Sequence, residues 1–215
     1  MRLRNIPGSR EAIASSPFVI PEQELASHRG RWHEVFSNSH PLFLEIGSGK
    51  GRFITELAER EPGSNFLGIE KYSSVLIKAL AKRASRPDLY NLFFIRMDAE
   101  YICDVFAPGE IAGIYLNFSD PWPKDRHAKR RLPGTEFLAR YRQLLVPGGT
   151  VEFKTDNITL FSYALESVRT SGWNLLECTW DLHHDEQLCE GNIMTEYEAK
   201  FSAAGNKICK LTARP

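Results

Sequence analysis

The sequence predicts an α/β fold whose mostly parallel sheet is covered by helices on both faces. Three observations carry that prediction. Short apolar runs alternate with helical patterns between Leu42 and Lys154. A glycine-rich turn, Gly47-Ser48-Gly49-Lys50-Gly51, joins the first run to the first helix. An acid stands behind each of the first four runs: Glu45, Glu70, Asp98 and Asp120. In an open α/β sheet the carboxyl ends of the strands are where ligands bind.

The elements follow in order. Residues up to about Leu25 carry Arg2, Arg4 and Arg10, prolines and Ser15-Ser16-Pro17, which predicts a loosely ordered basic arm over 1–25. One domain is expected over 26–215. A short helix is expected over Pro21 to Phe36. Leu42 to Ile46 is apolar and stopped by glycines, as a buried strand is. Phe53, Ile54, Leu57 and Ala58 share one face of a helix over Gly51 to Arg60. Asn65 to Ile69 is the second strand, and Ser73 to Ala84 the second helix. Leu92 to Ile95 and Ile111 to Phe118 are the third and fourth strands. A helix over Leu138 to Leu145 stops at Pro147-Gly148-Gly149, and Thr150 to Lys154 is the fifth strand. Ile158 to Arg169 is a helix for which Asp156 or Asn157 supplies the cap. Leu175 to Trp180 and Lys207 to Ala213 complete seven strands and are expected to pair with each other.

The 215 residues are 42% hydrophobic and 25% charged, as in an ordinary globular protein. The 27 basic and 27 acidic residues cancel, so any contact with nucleic acid has to be local. No apolar run is long enough to span a bilayer, and Met1 to Asn5 lacks the apolar stretch of a signal peptide. Cys103, Cys178, Cys189 and Cys209 contain no CxxC pair, which predicts reduced thiols in a cytoplasmic protein. His183-His184-Asp185 and Cys189 lack the second cluster that a tetrahedral site needs, so no metal is expected.

The glycines of Gly47 and Gly49 let the backbone approach a ligand, and Glu70 stands about twenty residues on, where an acid accepts hydrogen bonds from a ribose. Asp98, just past the third strand, is placed to accept an adenine amine or to cap the next helix. The spacing is GxGxG, unlike the dinucleotide fingerprint, and there is no Walker A motif. Ribose plus adenine without a phosphate cradle suggests S-adenosylmethionine.

The stretch Asn117-Phe118-Ser119-Asp120-Pro121-Trp122-Pro123-Lys124 follows the fourth strand. Two prolines stiffen it and suit it to fixing a base. Trp122 either stacks on that base or fills the core. Lys124, Arg126, His127, Lys129, Arg130 and Arg131 form a basic run against the proposed site, suited to phosphate. Lys154-Thr155-Asp156 ends the fifth strand and offers polar contacts to a substrate. Thr195-Glu196-Tyr197-Glu198 either forms a capping box or bonds a substrate.

The chain resembles the bacterial tRNA (guanine-N7)-methyltransferases in segments from one end to the other. These are Met1-Arg2-Leu3-Arg4, the loop from Glu45 to Gly51, Gly68-Ile69-Glu70, Asn117 to Leu132, Val146 to Gly149, Lys154-Thr155-Asp156 and Thr195 to Phe201. The resemblance implies a Rossmann-like class I S-adenosylmethionine-dependent fold and tRNA as partner. The substrate implied is guanosine 46 of the variable loop, and S-adenosylhomocysteine is the second product. By matching positions, Glu45, Gly47, Gly49, Glu70, Asp98 and Asp120 take the cofactor, with Asp120 also catalytic. Lys124, Asp156, Thr195, Glu196, Tyr197 and Glu198 contact the substrate. Arg126, His127, Lys129, Arg130 and Arg131 contact tRNA. Either a monomer or a homodimer is compatible with this. The alternatives are methylation of an exocyclic amine on another RNA base, suggested by Ser119-Asp120-Pro121-Trp122, a nicotinamide oxidoreductase, and a non-catalytic RNA-binding protein of the same fold.

Overall fold

In β3, Asn65–Glu70, all six residues are buried, so the strand is covered on both faces. That is the environment that makes a strand read as a continuous apolar run. The computed structural model describes residues 6–215. The Met1-Arg2-Leu3-Arg4 part of the expected basic arm lies outside the described residues. Within the described part of that arm, α1 spans Ser9–Ala14 and the Ser9 hydroxyl donates to Ser73 at 3.1 Å. The chain divides into two units, one ending at Ala107 and one covering Pro108–Pro215.

The first unit holds four strands in the order β1-β4-β3-β2: β1 is Val19–Ile20, β2 Leu42–Ile46 and β4 Leu92–Arg96. All pair in parallel. The registers Ile46↔Ile69 and Glu70↔Arg96 bring the carboxyl ends of β2, β3 and β4 to the same edge. Helices α3 (Arg52–Arg60) and α4 (Ser73–Ala84) follow β2 and β3. They meet at Gly51, whose φ is +74°. A Cβ there would lie 2.7 Å from the Cβ of Ala79. Gly68 serves the same purpose inside β3, where a Cβ would sit 2.5 Å from the Phe94 ring.

The single helix expected over Pro21 to Phe36 is two pieces, a 3-10 turn at Glu22–His28 and α2 at Trp32–Phe36. Gly30 lies between them at φ +79°, a left-handed conformation that ends helical propagation. Trp32, at α2's start, is anchored by its indole N–H donating to the Val105 carbonyl at 3.2 Å. That carbonyl ends α5, Ile102–Val105.

The second unit holds β5 (Ile111–Asn117), β6 (Leu145–Thr155), β7 (Asn174–Thr179) and β8 (Cys209–Arg214) in the order β5-β6-β8-β7. β5 and β6 are parallel, whereas β8 runs antiparallel to both β6 and β7. The last two expected strands do pair. Its helices are α6 (Thr135–Leu144), α7 (Ile158–Thr170), α8 (Glu186–Cys189) and α9 (Glu196–Ala203). β6 begins five residues before its expected start. Pro147-Gly148-Gly149 is absorbed by a register shift opposite Ile111 and Gly113 rather than forming a separate turn. Asn157, not Asp156, caps α7, its side chain accepting the Leu160 N–H at 2.8 Å.

The described residues thus contain eight strands in a mostly parallel α/β fold, one more than expected. The addition is β1, two residues long, too short to show a period of two in the sequence.

Candidate active site

The glycine loop after β2 is held to the end of β3 by backbone bonds. The N–H groups of Gly47 and Ser48 donate to the Ile69 carbonyl at 2.8 and 3.0 Å. Gly47 and Gly49 have φ of +79° and +57°, and a Cβ on Gly47 would meet nothing within 4 Å. The loop therefore presents bare backbone to open space. Glu70, 7% exposed, is fixed at both carboxylate oxygens. One accepts from Gly49 N–H at 3.1 Å, the other from Tyr72 N–H at 2.8 Å. One acid thus ties the loop after β2 to the loop after β3. Glu45 is buried one strand over, 2% exposed.

Asp98 lies past the end of β4 and does what a cap does, accepting the Glu100 N–H at 3.1 Å. Its other oxygen meets the ammonium of Lys71. A cleft of about 430 Å³ opens beside it, lined by Met97, Asp98, Tyr101, Asp104, Lys71 and Arg96. That volume lies in the range of small-ligand sites. Open glycine backbone, an anchored acid at one strand end and an acceptor carboxylate in a cleft at the next suit a ribonucleoside.

The second unit carries the other candidate residues. Phe118 and Trp122 stand two residues either side of Asp120, both at positive φ, +53° and +42°. Each costs ~1–2 kcal/mol in an L-residue, so the surrounding bonds must hold them. Phe118 N–H donates to the Lys154 carbonyl at 2.8 Å, and its ring meets Tyr197 at 4.9 Å. Trp122 is half-buried and framed by its own loop. Arg130 lies over its ring at 4.9 Å and His127 meets it edge-on at 5.6 Å. The indole therefore neither fills the core nor stands free. Asp120 itself is exposed between these two anchors.

The basic run folds as a 3-10 turn at Asp125–Arg130. Lys124, Arg126, Lys129 and Arg130 are exposed, and His127 is half-buried. Arg131 differs, with a side chain only 12% exposed. Its guanidinium donates to the Pro121 carbonyl at 3.2 Å and to the Trp122 carbonyl at 3.2 and 3.0 Å.

At the end of β6, Asp156 accepts from Asn206 at 3.0 Å and from the Tyr197 hydroxyl at 3.4 Å. Burial raises the Tyr197 phenol above its ordinary pKa, and the Asp156 charge and hydrogen bond push it the same way. Tyr197 also stacks on Phe201 at 4.0 Å. Thr195 caps α9, its hydroxyl accepting the Glu198 N–H at 2.9 Å, and Glu196 opens that helix. The reciprocal half of a capping box is replaced. The Glu198 carboxylate turns inward to Lys154 at 2.9 Å and to Asn192 at 2.8 Å. Neither Lys154 nor Glu198 has any exposed side chain.

The structure therefore gathers Glu45, Gly47, Gly49, Glu70 and Asp98 at the strand ends of the first unit. In the second unit, Asp156, Tyr197, Thr195 and Glu198 cluster at the end of β6. Lys154, expected as a polar contact to a substrate, is instead buried on Glu198 and on Asn192, a partner that its place in the sequence does not announce. The available signal was a lysine beside Phe153 in a run otherwise buried, since a buried ammonium needs an acid. His183 lies 3.4 Å from Glu198, and His184 bonds Asp181 at 3.0 Å, so both side chains face carboxylates. Among the described residues no cluster of three or more His, Cys, Asp or Glu is placed to hold a metal ion.

Comparison with known proteins adds four findings. A family model described as a putative methyltransferase matches residues 39–211. A protein of Lachnoclostridium phytofermentans named tRNA (guanine-N(7)-)-methyltransferase is 60% identical over 99% of this chain and 98% of its own length. A Geobacillus protein of the same name is 51% identical over 97% of this chain and 93% of its own. Among solved structures, an antibiotic-related methyltransferase aligns with a TM-score of 0.65 at 18% identity, covering 86% of this chain and 94% of that one. At that identity the likeness concerns the fold alone.

Proposed function

The chain belongs to the tRNA (guanine-N7)-methyltransferase family, and on that premise we propose its reaction. It transfers a methyl group from S-adenosylmethionine to nitrogen 7 of guanosine 46 in the tRNA variable loop, leaving S-adenosylhomocysteine. The observation that carries the proposal is the end-to-end match to relatives of that name, which takes in every strand end and loop described above.

The cofactor, when bound, supplies a methyl group already activated on a positive sulfonium. The Gly47–Gly49 loop gives it backbone to lie against, Glu70 accepts from its ribose hydroxyls, and Asp98 accepts its adenine amine. Glu45 sits buried beside them. Asp120 is assigned both the catalytic role and a cofactor contact by its place in the motif.

Nitrogen 7 of guanine carries an in-plane lone pair and no proton, so the chain need not supply a general base. Its work is orientation and electrostatics. Asp120 and Asp156 are proposed to accept hydrogen bonds from the amino and imino groups of guanine, which adenine cannot supply in that pattern. Glu198 is committed to Lys154 and Asn192, so it acts by holding α9, whose first turn presents Thr195, Glu196 and Tyr197 to the base. The product gains a positive charge that nearby carboxylates favour. Lys124, Arg126, His127, Lys129 and Arg130 take the tRNA backbone. The enzyme works in the cytoplasm, where tRNA is, as a monomer or homodimer. No helix among the described residues is long and apolar enough to cross a membrane.

Labelled methyl transfer to unmodified tRNA, followed by nucleoside digestion, tests the reaction. The label should appear in 7-methylguanosine at position 46. A label on an exocyclic amine would transfer the assignment to the alternative that Ser119-Asp120-Pro121-Trp122 suggests. Asp120→Ala should lower turnover by orders of magnitude while the fold persists, and near-normal turnover would sink its catalytic role. S-adenosylhomocysteine, but not NAD, should raise the melting temperature.

A further inference from the structure

Arg131 is the last cation of the basic run, yet its surroundings differ from those of its neighbours. Lys124, Arg126, Lys129 and Arg130 are exposed, whereas the Arg131 side chain is 12% exposed. The central carbon of its guanidinium lies over the Tyr163 ring, 4.5 Å from the centroid. Its edge points at the Asp120 loop. Nε is shared between the carbonyls of Pro121 and Trp122 at 3.2 Å each, and Nη2 donates to Trp122 at 3.0 Å. Asp125 stands 3.8 Å away on the same guanidinium. Its backbone is fixed as well, with Arg131 N–H on the Ala128 carbonyl and its own carbonyl taken by Gly134 N–H, both at 2.9 Å.

We infer that Arg131 is a positioning residue for the Asp120 loop rather than a phosphate contact. Trp122 is held at a φ of +42°, which an L-residue leaves when nothing constrains it. Arg131 constrains it at the carbonyl, and the planar fork does so from a fixed direction because Tyr163 backs it. Tyr163 belongs to α7, so the loop after β5 is braced by a helix of the same unit. A lysine would carry the same charge but not the fork, since an ammonium is a point donor on a flexible stem. The inference rests on the catalytic reading of Asp120, and the experiment separates the two.

Steady-state kinetics and the salt dependence of tRNA binding are compared for the wild type, Arg131→Lys, Arg131→Ala, Tyr163→Leu and Asp120→Ala, well below each melting temperature. A misplaced catalytic group costs up to about 10²-fold in rate, so kcat of Arg131→Lys should fall between about tenfold and that limit. Its KM for tRNA and its salt slope should match the wild type. Tyr163→Leu removes the backing ring and no charge, and should lower kcat in the same direction. A phosphate contact gives the opposite pattern. Arg131→Lys then keeps kcat, and Arg131→Ala loses about one unit of salt slope with a raised KM. Unchanged kcat in Arg131→Lys overturns the inference whatever Asp120→Ala does. Normal turnover in Asp120→Ala removes the catalytic role of Asp120 independently.

Discussion

Lys154 and Glu198 form an ion pair at 2.9 Å in which neither side chain reaches solvent. All three donors of the ammonium are used, on Glu198, on the Asn192 side chain at 3.0 Å and on the Ile193 carbonyl at 2.9 Å. The pair joins the end of β6 to α9 and to the segment before it. Removing one partner strands the other charge in a dry interior. Lys154→Met or Glu198→Leu alone should each cost about 3–5 kcal/mol, whereas the double variant should recover most of that loss. Urea denaturation of the four proteins measures it. A double variant as unstable as the sum of the singles would mean the two charges do not compensate each other.

The exposed cations act differently from Arg131. Lys129→Ala with Arg130→Ala should weaken tRNA binding and reduce the salt slope by about two, if each meets one phosphate. Arg130 also lies over Trp122, so some loss of order in that ring is expected, visible as a change in tryptophan fluorescence. An unchanged slope would place the tRNA backbone elsewhere.

Gly51 allows α3 and α4 to approach. An alanine there would take a φ of +74° and put its Cβ 2.7 Å from Ala79. Strain and overpacking together predict a loss of about 2–4 kcal/mol for Gly51→Ala. The double change Gly51→Ala with Ala79→Gly removes the Cβ–Cβ clash but neither the 3.1 Å approach to the residue 79 Cα nor the strain, and should recover only part. Equal stability of Gly51→Ala and wild type, by thermal melting, would contradict the packing described.

Burial pushes the Cys209 thiol up to about 11, with the nearby Cys178 and Asp181 acting in the same direction. At pH 8 it should resist iodoacetamide until the protein unfolds, while the exposed Cys178 and the partly exposed Cys103 and Cys189 react before it. Mass mapping of alkylated peptides checks the order. The folded thiol holds its proton more tightly than the unfolded one. Its contribution to stability is therefore intact below the ordinary thiol range and is lost as pH rises through about 11. Cys209→Ala should flatten that part of the stability curve.

Much of the framework is legible from residue order because its signals are local. β2 at Leu42–Ile46 and α4 at Ser73–Ala84 coincide with their apolar patterns, and the acids at Glu70 and Asp98 follow from where those strands stop. What escapes is whatever depends on distant partners. β1 exists because Val19 and Ile20 pair with Phe94 and Ile95. The Glu198 carboxylate looks like half of a capping box until Lys154, 44 residues earlier, claims it. Arg131 looks like its basic neighbours because sequence records its charge and not the Trp122 carbonyl it holds. At the site, the residue types are legible and their allegiances are not.

The position of β8 has a consequence for how the protein is made. β6 lies between β5 and β8, and β8, Cys209–Arg214, is the last of the described elements in chain order. The first unit ends at Ala107, so its strands are all made before those of the second. The ladder of the second unit stays open until β8 is made, because β6 has only β5 beside it in that unit until then. Deleting β8 would therefore remove a rung from the middle of that unit's ladder, parting β7 from β6.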